Sequence, residues 1–130
     1  MSKKNEIYSR RPTSPHLSIY RWQISNSLSI LHRLTGIGLF ASLSLLAWWG
    51  ILVVFSSNCY CLISLADTIY FKAIILLSAY ALFFHLTTGI RHLFWDIGYG
   101  YSIRTMHITG WLTVLSSFSL TAMLYYHVLS

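Results

Sequence analysis

The apolar residues of this chain fall into three long runs separated by short polar segments. The first run, residues 34–55, contains no charged residue and is long enough to cross the ~30 Å hydrocarbon core of a bilayer as a helix. A second run extends from about residue 68 to residue 94, and a third from about residue 107 to residue 129. Lipid offers the backbone no hydrogen-bond partners, so runs of this length must be helical. The pattern predicts an all-α integral membrane protein with three transmembrane helices.

The residues before the first run have a different character. They are polar and basic, and they contain Pro12 and Pro15, which disfavour helix. Tyr20 and Trp22 are typical of a membrane interface. We therefore expect an extended arm that lies along the membrane surface. The expected boundaries, within one membrane domain of residues 1–130, are 1–24 for the arm, about 25–56 for helix I, about 67–94 for helix II and about 107–129 for helix III.

Polar side chains at the ends of the runs are candidate helix caps. Ser25, Asn26 and Ser27 are N-cap candidates for helix I, and Asp67 is placed to cap helix II. The serine and threonine residues of helix III favour hydrogen bonds to neighbouring helices.

Composition supports a membrane location. Of the 130 residues 55% are hydrophobic and only 9% are charged, and the mean hydropathy is +0.59. Soluble domains carry roughly 25% charged residues, so this chain lacks the polar surface that a globule in water requires. A net charge of +6 is compatible with nucleic-acid binding. Most of the cations precede the first run, however, and this position favours residues that flank a membrane span over a nucleic-acid site. These cations are Lys3, Lys4, Arg10, Arg11, Arg21 and Arg33.

The distribution of cations predicts the orientation. Arg91 and Arg104 flank the connection between helices II and III, whereas the I–II connection and the C-terminus have only the nearby Lys72. The positive-inside rule places the N-terminus and the II–III connection in the cytoplasm or mitochondrial matrix. The C-terminus is then expected in the periplasm or intermembrane space.

The two cysteines, Cys59 and Cys61, are expected in a short loop between helices I and II. One intervening residue gives poor disulfide geometry, and the loop offers too few ligands for a metal. We interpret both as inert loop residues.

Helix II contains a histidine within its apolar stretch. The face of His85 carries Ser78, Ala81 and Gly89, and His92 follows two turns later. Small neighbours give the clearance that a flat macrocycle needs, and imidazole is a common axial ligand of haem iron. The same spacing suits a buried, hydrogen-bonded histidine, and spacing alone does not favour the ligand.

A second polar group lies at the start of helix I. Ser29 and Arg33 are i, i+4 neighbours, His32 is adjacent, and Gly36 lies on the same face. A hydroxyl and a guanidinium at the membrane boundary are suited to a small polar headgroup or a carboxylate. On spacing alone an ordinary lipid-phosphate anchor is favoured. The chain has no nucleophile–base arrangement, carboxylate pair or phosphate loop, so we expect no independent catalysis.

Three sequence segments resemble the signatures of the cytochrome b membrane-anchor subunits of succinate dehydrogenase. They are residues 11–17 (RPTSPHL), 29–36 (SILHRLTG) and 85–98 (HLTTGIRHLFWDIG). The resemblance implies a complex of a flavoprotein, an iron–sulfur protein and two small membrane anchors, of which this chain is one. It implies that the complex passes electrons from succinate to ubiquinone and so takes part in both the respiratory chain and the tricarboxylic acid cycle. It also implies that this chain packs against the second anchor.

The resemblance also implies roles for individual residues. His85 is implied as the axial ligand of the iron of haem b, with the other histidine supplied by the partner anchor. Ser29 and Arg33 are implied to line the quinone pocket, and His32 with Arg33 to contact the haem propionates. His92 and Asp96 belong to the signature with a supporting role near the interface.

Other readings remain. A fumarate reductase anchor uses the same path in reverse with a menaquinone, and a purely structural anchor binds no haem. A channel or transporter is disfavoured, because the cores of helices I and III lack charge.

The first signature begins at Arg11, so we expect no cleaved presequence. A bacterial inner membrane, or a mitochondrial inner membrane with an organelle-encoded subunit, fits this expectation.

Overall fold

The computed structural model describes residue 12, residues 20–56 and residues 59–129. These parts of the chain are helical apart from short connections, and they contain no strand. The helices are α1 (Ile24–Phe55), α2 (Cys59–Ala66), α3 (Ile69–Asp96) and α4 (Ile103–Leu124), which continues into a π-helical turn, Tyr125–Leu129. Most of the arm expected over residues 1–24 lies outside the described residues, including four of its five cations, Lys3, Lys4, Arg10 and Arg11.

Three helices are long and apolar enough to span a membrane, namely Ile24–Phe55, Ile69–Asp96 and Ile103–His127. They correspond to the expected helices I, II and III, so the prediction of an all-α membrane fold is confirmed. The middle span α3 packs against both α1 and α4, and the direct contact between α1 and α4 is smaller. The side chains that project from both sides of α3 therefore decide how the three spans associate.

The start of α1 differs from the expected capping. Gln23, which is extended (φ −107°, ψ 147°), is the N-cap residue and makes no side-chain capping bond. Ser25, Asn26 and Ser27 lie inside the first turn, so the prediction that they cap the helix was wrong. Their side chains reach backwards instead: the Ser27 hydroxyl donates to the Gln23 carbonyl (3.2 Å) and the Asn26 amide to the Tyr20 hydroxyl (2.8 Å).

The predicted cap of helix II was also wrong by one residue. Thr68 caps α3, because its hydroxyl accepts from the backbone N–H of Phe71 (3.3 Å). The Asp67 carboxylate lies 3.9 Å from the Lys72 ammonium instead. Both groups are well exposed, so this ion pair contributes little stability.

The helix expected at residue 107 begins at Ile103. Ser102 caps α4 by accepting from the backbone N–H of Thr105 (3.2 Å), a signal that the hydrophobic run alone did not reveal. Gly98 and Gly100 precede it with φ of +92° and +89°, values that favour glycine. These two residues reverse the chain between α3 and α4.

The connection between helices I and II is not only a loop. Residues Cys59–Ala66 form α2, which packs against α1. The Trp49 indole N–H of α1 donates to the Leu62 carbonyl (3.1 Å) and fixes α2 against the longer helix. Cys61 is a free, exposed thiol on α2, and the Cys59 side chain lies outside the described part of the chain.

The interior is small and unusually polar. Leu28, Leu39 and Phe84 are the buried apolar residues of the described chain, whereas most large apolar side chains face outward, as lipid allows. The hydroxyl residues Thr113, Ser117 and Thr121 are buried between α3 and α4, and Thr88 is buried where α3 faces α1. Small side chains at these positions let the helix backbones approach closely.

The hydroxyls of α4 mostly bond within their own helix. Thr109, Thr113, Ser116, Ser119 and Thr121 donate to carbonyls three or four residues earlier. Between α3 and α4, the Thr87 hydroxyl bonds to the Ser117 hydroxyl (2.9 Å) and also donates to the Thr113 carbonyl (3.5 Å). The expected inter-helix hydrogen bonding of helix III is thus present at Ser117, whereas the other hydroxyls bond within their own helix, because a hydroxyl in a helix finds its nearest acceptor in the preceding turn.

Candidate functional site

Two histidines from different helices meet where α1 crosses α3. The rings of His32 and His85 are stacked, with centroids 3.9 Å apart and planes inclined by 12°. Fifty-three residues separate them in the sequence, and both are half-buried. The structure therefore brings together the two histidines that sequence reasoning had placed in separate groups.

The ring of His85 is oriented by the backbone of α1. Its Nδ1 lies 3.0 Å from the His32 carbonyl oxygen, and because a carbonyl only accepts, Nδ1 carries the proton. The Thr35 hydroxyl lies 3.3 Å from the same nitrogen and donates to the same carbonyl (2.9 Å). Nε2 of His85 makes no hydrogen bond to any described residue. A histidine held this way presents the Nε2 lone pair as a potential ligand.

His32 is held by a matching contact from the other helix. Its Nδ1 lies 2.7 Å from the Thr88 hydroxyl, which itself donates to the Phe84 carbonyl (2.6 Å). The Thr88 proton is thereby engaged, so its oxygen accepts and Nδ1 of His32 is the donor. Each histidine is oriented by the helix that faces it.

A glycine lies opposite each stacked ring. A Cβ on Gly36 would lie 3.0 Å from Cε1 of His85, and a Cβ on Gly89 would lie 3.6 Å from Cε1 of His32. Gly36 therefore leaves room that the His85 imidazole needs, whereas a Cβ on Gly89 would make only an ordinary contact with His32. The clearance expected beside His85 from Gly89 is filled here by the ring of His32.

The same short pattern, H-x-x-T-G, produces both halves of this contact. It reads His32, Thr35 and Gly36 on α1, and His85, Thr88 and Gly89 on α3. Because the two helices run antiparallel, each histidine meets the glycine of the other copy. This five-residue repeat is visible in the sequence when residues 32–36 are compared with residues 85–89.

Further aromatic groups extend the cluster toward the end of α3. The ring of His92 lies 5.2 Å from that of His32, and Trp95 packs edge-on to His92 at 5.1 Å. Asp96 is exposed at the last position of the helix. His92 thus belongs to the same face as His32 and His85.

Ser29 and Arg33 lie on α1 beside this cluster. Ser29 is half-buried, one turn before His32, and Arg33 is exposed. Neither side chain makes a hydrogen bond to another described residue. Both polar groups therefore have capacity to bind a ligand, and they are adjacent to the histidine pair.

The arrangement sets limits on how a metal is bound. The described residues contain no group of three or more histidine, cysteine or acidic side chains able to hold a metal ion. Haem iron needs only axial ligands from protein, and His85 with a free Nε2 fits one such position. Nearly parallel stacked rings cannot place both Nε2 atoms on opposite sides of one iron. His32 is therefore not the second axial ligand in this arrangement.

One buried residue was missed as a candidate for binding. Arg91 was interpreted only as an orientation signal, but it is 6% exposed and its three guanidinium nitrogens have no hydrogen-bond partner among the described residues. No feature of the sequence distinguished it from an exposed arginine near a helix end.

Comparison with known proteins identifies the family. Residues 8–124 match the succinate dehydrogenase/fumarate reductase transmembrane subunit family. A succinate dehydrogenase cytochrome b556 subunit from Rickettsia felis is 53% identical over 122 residues, which cover 94% of this chain and 96% of the relative. The cytochrome b556 subunit of Paracoccus denitrificans is 40% identical over 98 residues, 75% of each chain. The mitochondrial cytochrome b560 subunit of Bos taurus is 43% identical over 123 residues, which cover 87% of this chain and 71% of the relative.

These matches agree with the three spans and with a chain that is one subunit of an enzyme rather than a catalyst by itself. Since the match extends over nearly all of the sequence, the chain belongs to the succinate dehydrogenase/fumarate reductase transmembrane subunit family.

Proposed function

We propose that this chain is the membrane anchor of a succinate:ubiquinone oxidoreductase, holding haem b together with a second anchor and contributing to the site of quinone reduction. The complex passes electrons from succinate through a flavoprotein and an iron–sulfur subunit to ubiquinone. The observation that carries the proposal is the geometry of His85, whose Nδ1 proton is bound by the His32 carbonyl. This bond leaves Nε2 available as a ligand.

The haem site is proposed on the α1–α3 face. His85 would hold the haem iron from this chain through Nε2, and a residue of the partner anchor would supply the second ligand. His32 and Arg33 are proposed to hold the haem propionates, because both are donors near the same end of α1. Haem b, when bound, supplies a one-electron redox centre within the membrane.

The quinone site is proposed on α1, beside the proposed haem site. The Ser29 hydroxyl and the Arg33 guanidinium are donors without a hydrogen-bond partner in the described residues, and a quinone presents carbonyl oxygens that only accept. Arg33 supplies a positive charge where negative charge develops during reduction. The two residues orient the quinone head and stabilise its reduced oxygens.

The proposed orientation follows from the cations. The N-terminus and the α3–α4 connection face the cytoplasm or matrix, which is also the side of Ser29, Arg33 and the peripheral iron–sulfur subunit. The C-terminus faces the periplasm or intermembrane space of a bacterial or mitochondrial inner membrane. Electrons then enter the membrane at the end of the helix bundle where Ser29 and Arg33 lie.

The haem assignment is tested by replacing His85 with alanine in the complete complex. We expect the reduced b-type absorbance band to be lost, because one of the two axial bonds is removed. The matched control is His107→Ala, an exposed histidine near the start of α4, which should retain the band. A six-coordinate haem that persists in the His85 variant would contradict the assignment.

The quinone site is tested by Ser29→Ala and Arg33→Leu. Each should lower quinone reduction while leaving succinate oxidation by an artificial dye intact. The arginine variant should lose about 10- to 100-fold in rate, since a hydrogen bond to a charged group contributes about 1.5–3 kcal/mol.

Two controls accompany the quinone test. Ser44→Ala removes an exposed hydroxyl of α1 that bonds only to its own helix, and Arg104→Leu removes an exposed arginine of α4. Both should leave quinone reduction unchanged. Equal loss of quinone and dye activity in the Ser29 and Arg33 variants would indicate failed assembly and not a quinone site.

A further inference from the structure

A buried cation without a hydrogen-bond partner in the described residues lies between the spans, beside the Trp95 end of the histidine cluster. The Arg91 side chain packs over the ring of Trp95, with the guanidinium carbon 4.2 Å from the ring centroid. A Cβ on Gly110 of α4 would lie 3.5 Å from Nη1, so this helix also approaches the guanidinium. The indole and the glycine pack against the guanidinium but accept none of its five N–H protons in a normal hydrogen bond.

An unpaired guanidinium inside a membrane protein is costly and points to a missing anion. The acidic residues of the described chain are Asp67, at the far end of α3, and Asp96, which is exposed at the end of α3. Neither forms an ion pair with Arg91. The counter-charge must therefore come from outside the described chain.

The histidine cluster does not supply it. Arg91 follows His85 by six residues, which at 100° per residue places it about 120° around α3 from that histidine. Its side is the one that packs against α4, whereas His85 and His92 face α1. Arg91 therefore points to a different side of α3 from the proposed haem ligand, although it shares Trp95 with His92.

Arg91 lines a cavity of about 670 Å³ between α3 and α4. The cavity walls include the apolar side chains of Ile90, Phe94 and Leu112, which are about half exposed. Hydroxyl residues such as Thr109 and Ser116 line it as well. A groove with an apolar wall and one cation at its base is complementary to an amphiphile with an acidic head.

The depth of Arg91 identifies the head group. With 28 residues α3 is about 42 Å long, so it extends about 6 Å beyond each side of a ~30 Å hydrocarbon core. Arg91 lies five residues, or about 8 Å, before the end of the helix. The guanidinium is therefore at the boundary between hydrocarbon and head groups, where lipid phosphates lie.

We propose that the groove between α3 and α4 binds a membrane phospholipid, with Arg91 as the cation that pairs with its phosphate. The acyl chain lies against Ile90, Phe94 and Leu112. The long side chain of Arg91 turns from its packed position toward the cavity, where the planar guanidinium donates two parallel hydrogen bonds to the phosphate. The ligand holds α3 and α4 together at their connected end.

The test uses the complete complex in a neutral detergent, with phosphatidylglycerol that carries a photoreactive acyl chain as the probe. Wild-type complex should be labelled on peptides of α3 and α4. Arg91→Gln should lower this labelling at least roughly tenfold, the effect of about 1.4 kcal/mol, and Arg91→Lys should restore part of it. Arg104→Gln, an exposed arginine at the same end, is the matched control and should be labelled like wild type.

Two further arms use wild-type complex and remain decisive if the Arg91 variants do not assemble. Diacylglycerol with the same photoreactive chain should label the groove weakly, because it lacks the phosphate. Millimolar inorganic phosphate should not displace the labelled phospholipid. Strong labelling by diacylglycerol, displacement by free phosphate, or unchanged labelling of an assembled Arg91→Gln complex would each overturn the proposal, as would a cross-link from Arg91 to a carboxylate of a partner subunit.

Discussion

At the scale of single residues, the histidine pair depends on what stands opposite each ring. The His85 ring is hydrogen-bonded to the His32 carbonyl and fits into the space beside Gly36, which has no side chain. The ring is fixed by hydrogen bonds, so it cannot easily yield to an added methyl group. The position of the proposed ligand is therefore set as much by the glycine of α1 as by the histidine itself.

We predict that Gly36→Ala displaces His85. The added Cβ would lie 3.0 Å from Cε1 of the ring, closer than ordinary van der Waals contact. Overpacking of this kind typically costs about 1–3 kcal/mol, so the midpoint of thermal unfolding of the complex should fall. Because the ring must move, the spectrum of the bound haem should shift as well.

Gly38→Ala is the matched control for this variant. Gly38 lies on the same helix, two residues on, and a Cβ there meets nothing within 4 Å. Helix propensity alone makes this change neutral or stabilising, by up to about 1 kcal/mol. Equal behaviour of the two alanine variants would show that Gly36 does not position His85.

At the scale of secondary-structure elements, the two interfaces of α3 differ in kind. The α1–α3 interface is held by reciprocal hydrogen bonds, from His32 to Thr88 and from His85 to the backbone of α1. The α3–α4 interface is built from buried small residues, and Thr87 makes side-chain bonds across it to the Ser117 hydroxyl and the Thr113 carbonyl. Close packing, more than hydrogen bonding, therefore holds α4 in place.

We predict that Thr87 and Ser117 are energetically coupled, but weakly. In a double-mutant cycle with Thr87→Val and Ser117→Ala, the coupling free energy should be about 0.6 kcal/mol, the average for hydrogen bonds between membrane helices. The measurement is the unfolding free energy of the single and double variants in mixed detergent. Ser119→Ala, which removes an exposed hydroxyl bonded to its own helix, should show no coupling to Thr87→Val.

At the scale of the whole molecule, three spans place the two connections on opposite sides of the membrane. The short helix α2 lies in the connection between the first two spans, and the glycine-containing turn lies between the second and third. All polar groups of the proposed haem and quinone sites lie toward the second of these ends. The orientation of the chain thus decides from which compartment electrons reach the sites.

We predict that Cys61 is accessible from the periplasm or intermembrane space. In a Cys59→Ala variant Cys61 is the single cysteine of the chain, and it is exposed on α2. A membrane-impermeant thiol reagent should label it in right-side-out vesicles and not in inside-out vesicles. Tyr99→Cys, placed in the α3–α4 turn of a chain without Cys59 and Cys61, should give the opposite result. Labelling of both positions from one side would refute the proposed topology.

The sequence by itself determined the three spans, since hydrocarbon admits only long apolar helices and these runs are visible in the residue order. It also singled out His85, because a histidine within an apolar run is conspicuous, and Ser29, His32 and Arg33, because they lie at the membrane boundary in a segment that resembles a known family. Where helices start was less predictable. The caps at Thr68 and Ser102 each depend on a single bond from a backbone N–H to a side-chain hydroxyl. Neighbouring serine, threonine and acidic residues could accept the same kind of bond, so the sequence does not distinguish among them.

Only the tertiary structure decided which groups meet. The pairing of His32 with His85 follows from the antiparallel crossing of α1 and α3, which sets Gly36 and Gly89 opposite the two rings. The isolation of Arg91 was equally hidden, because burial depends on Trp95 of its own helix and Gly110 of the next. Hydropathy measures whether each residue favours lipid or water. Contacts between helices depend instead on the register and rotation of the helices, which no single segment of the sequence specifies.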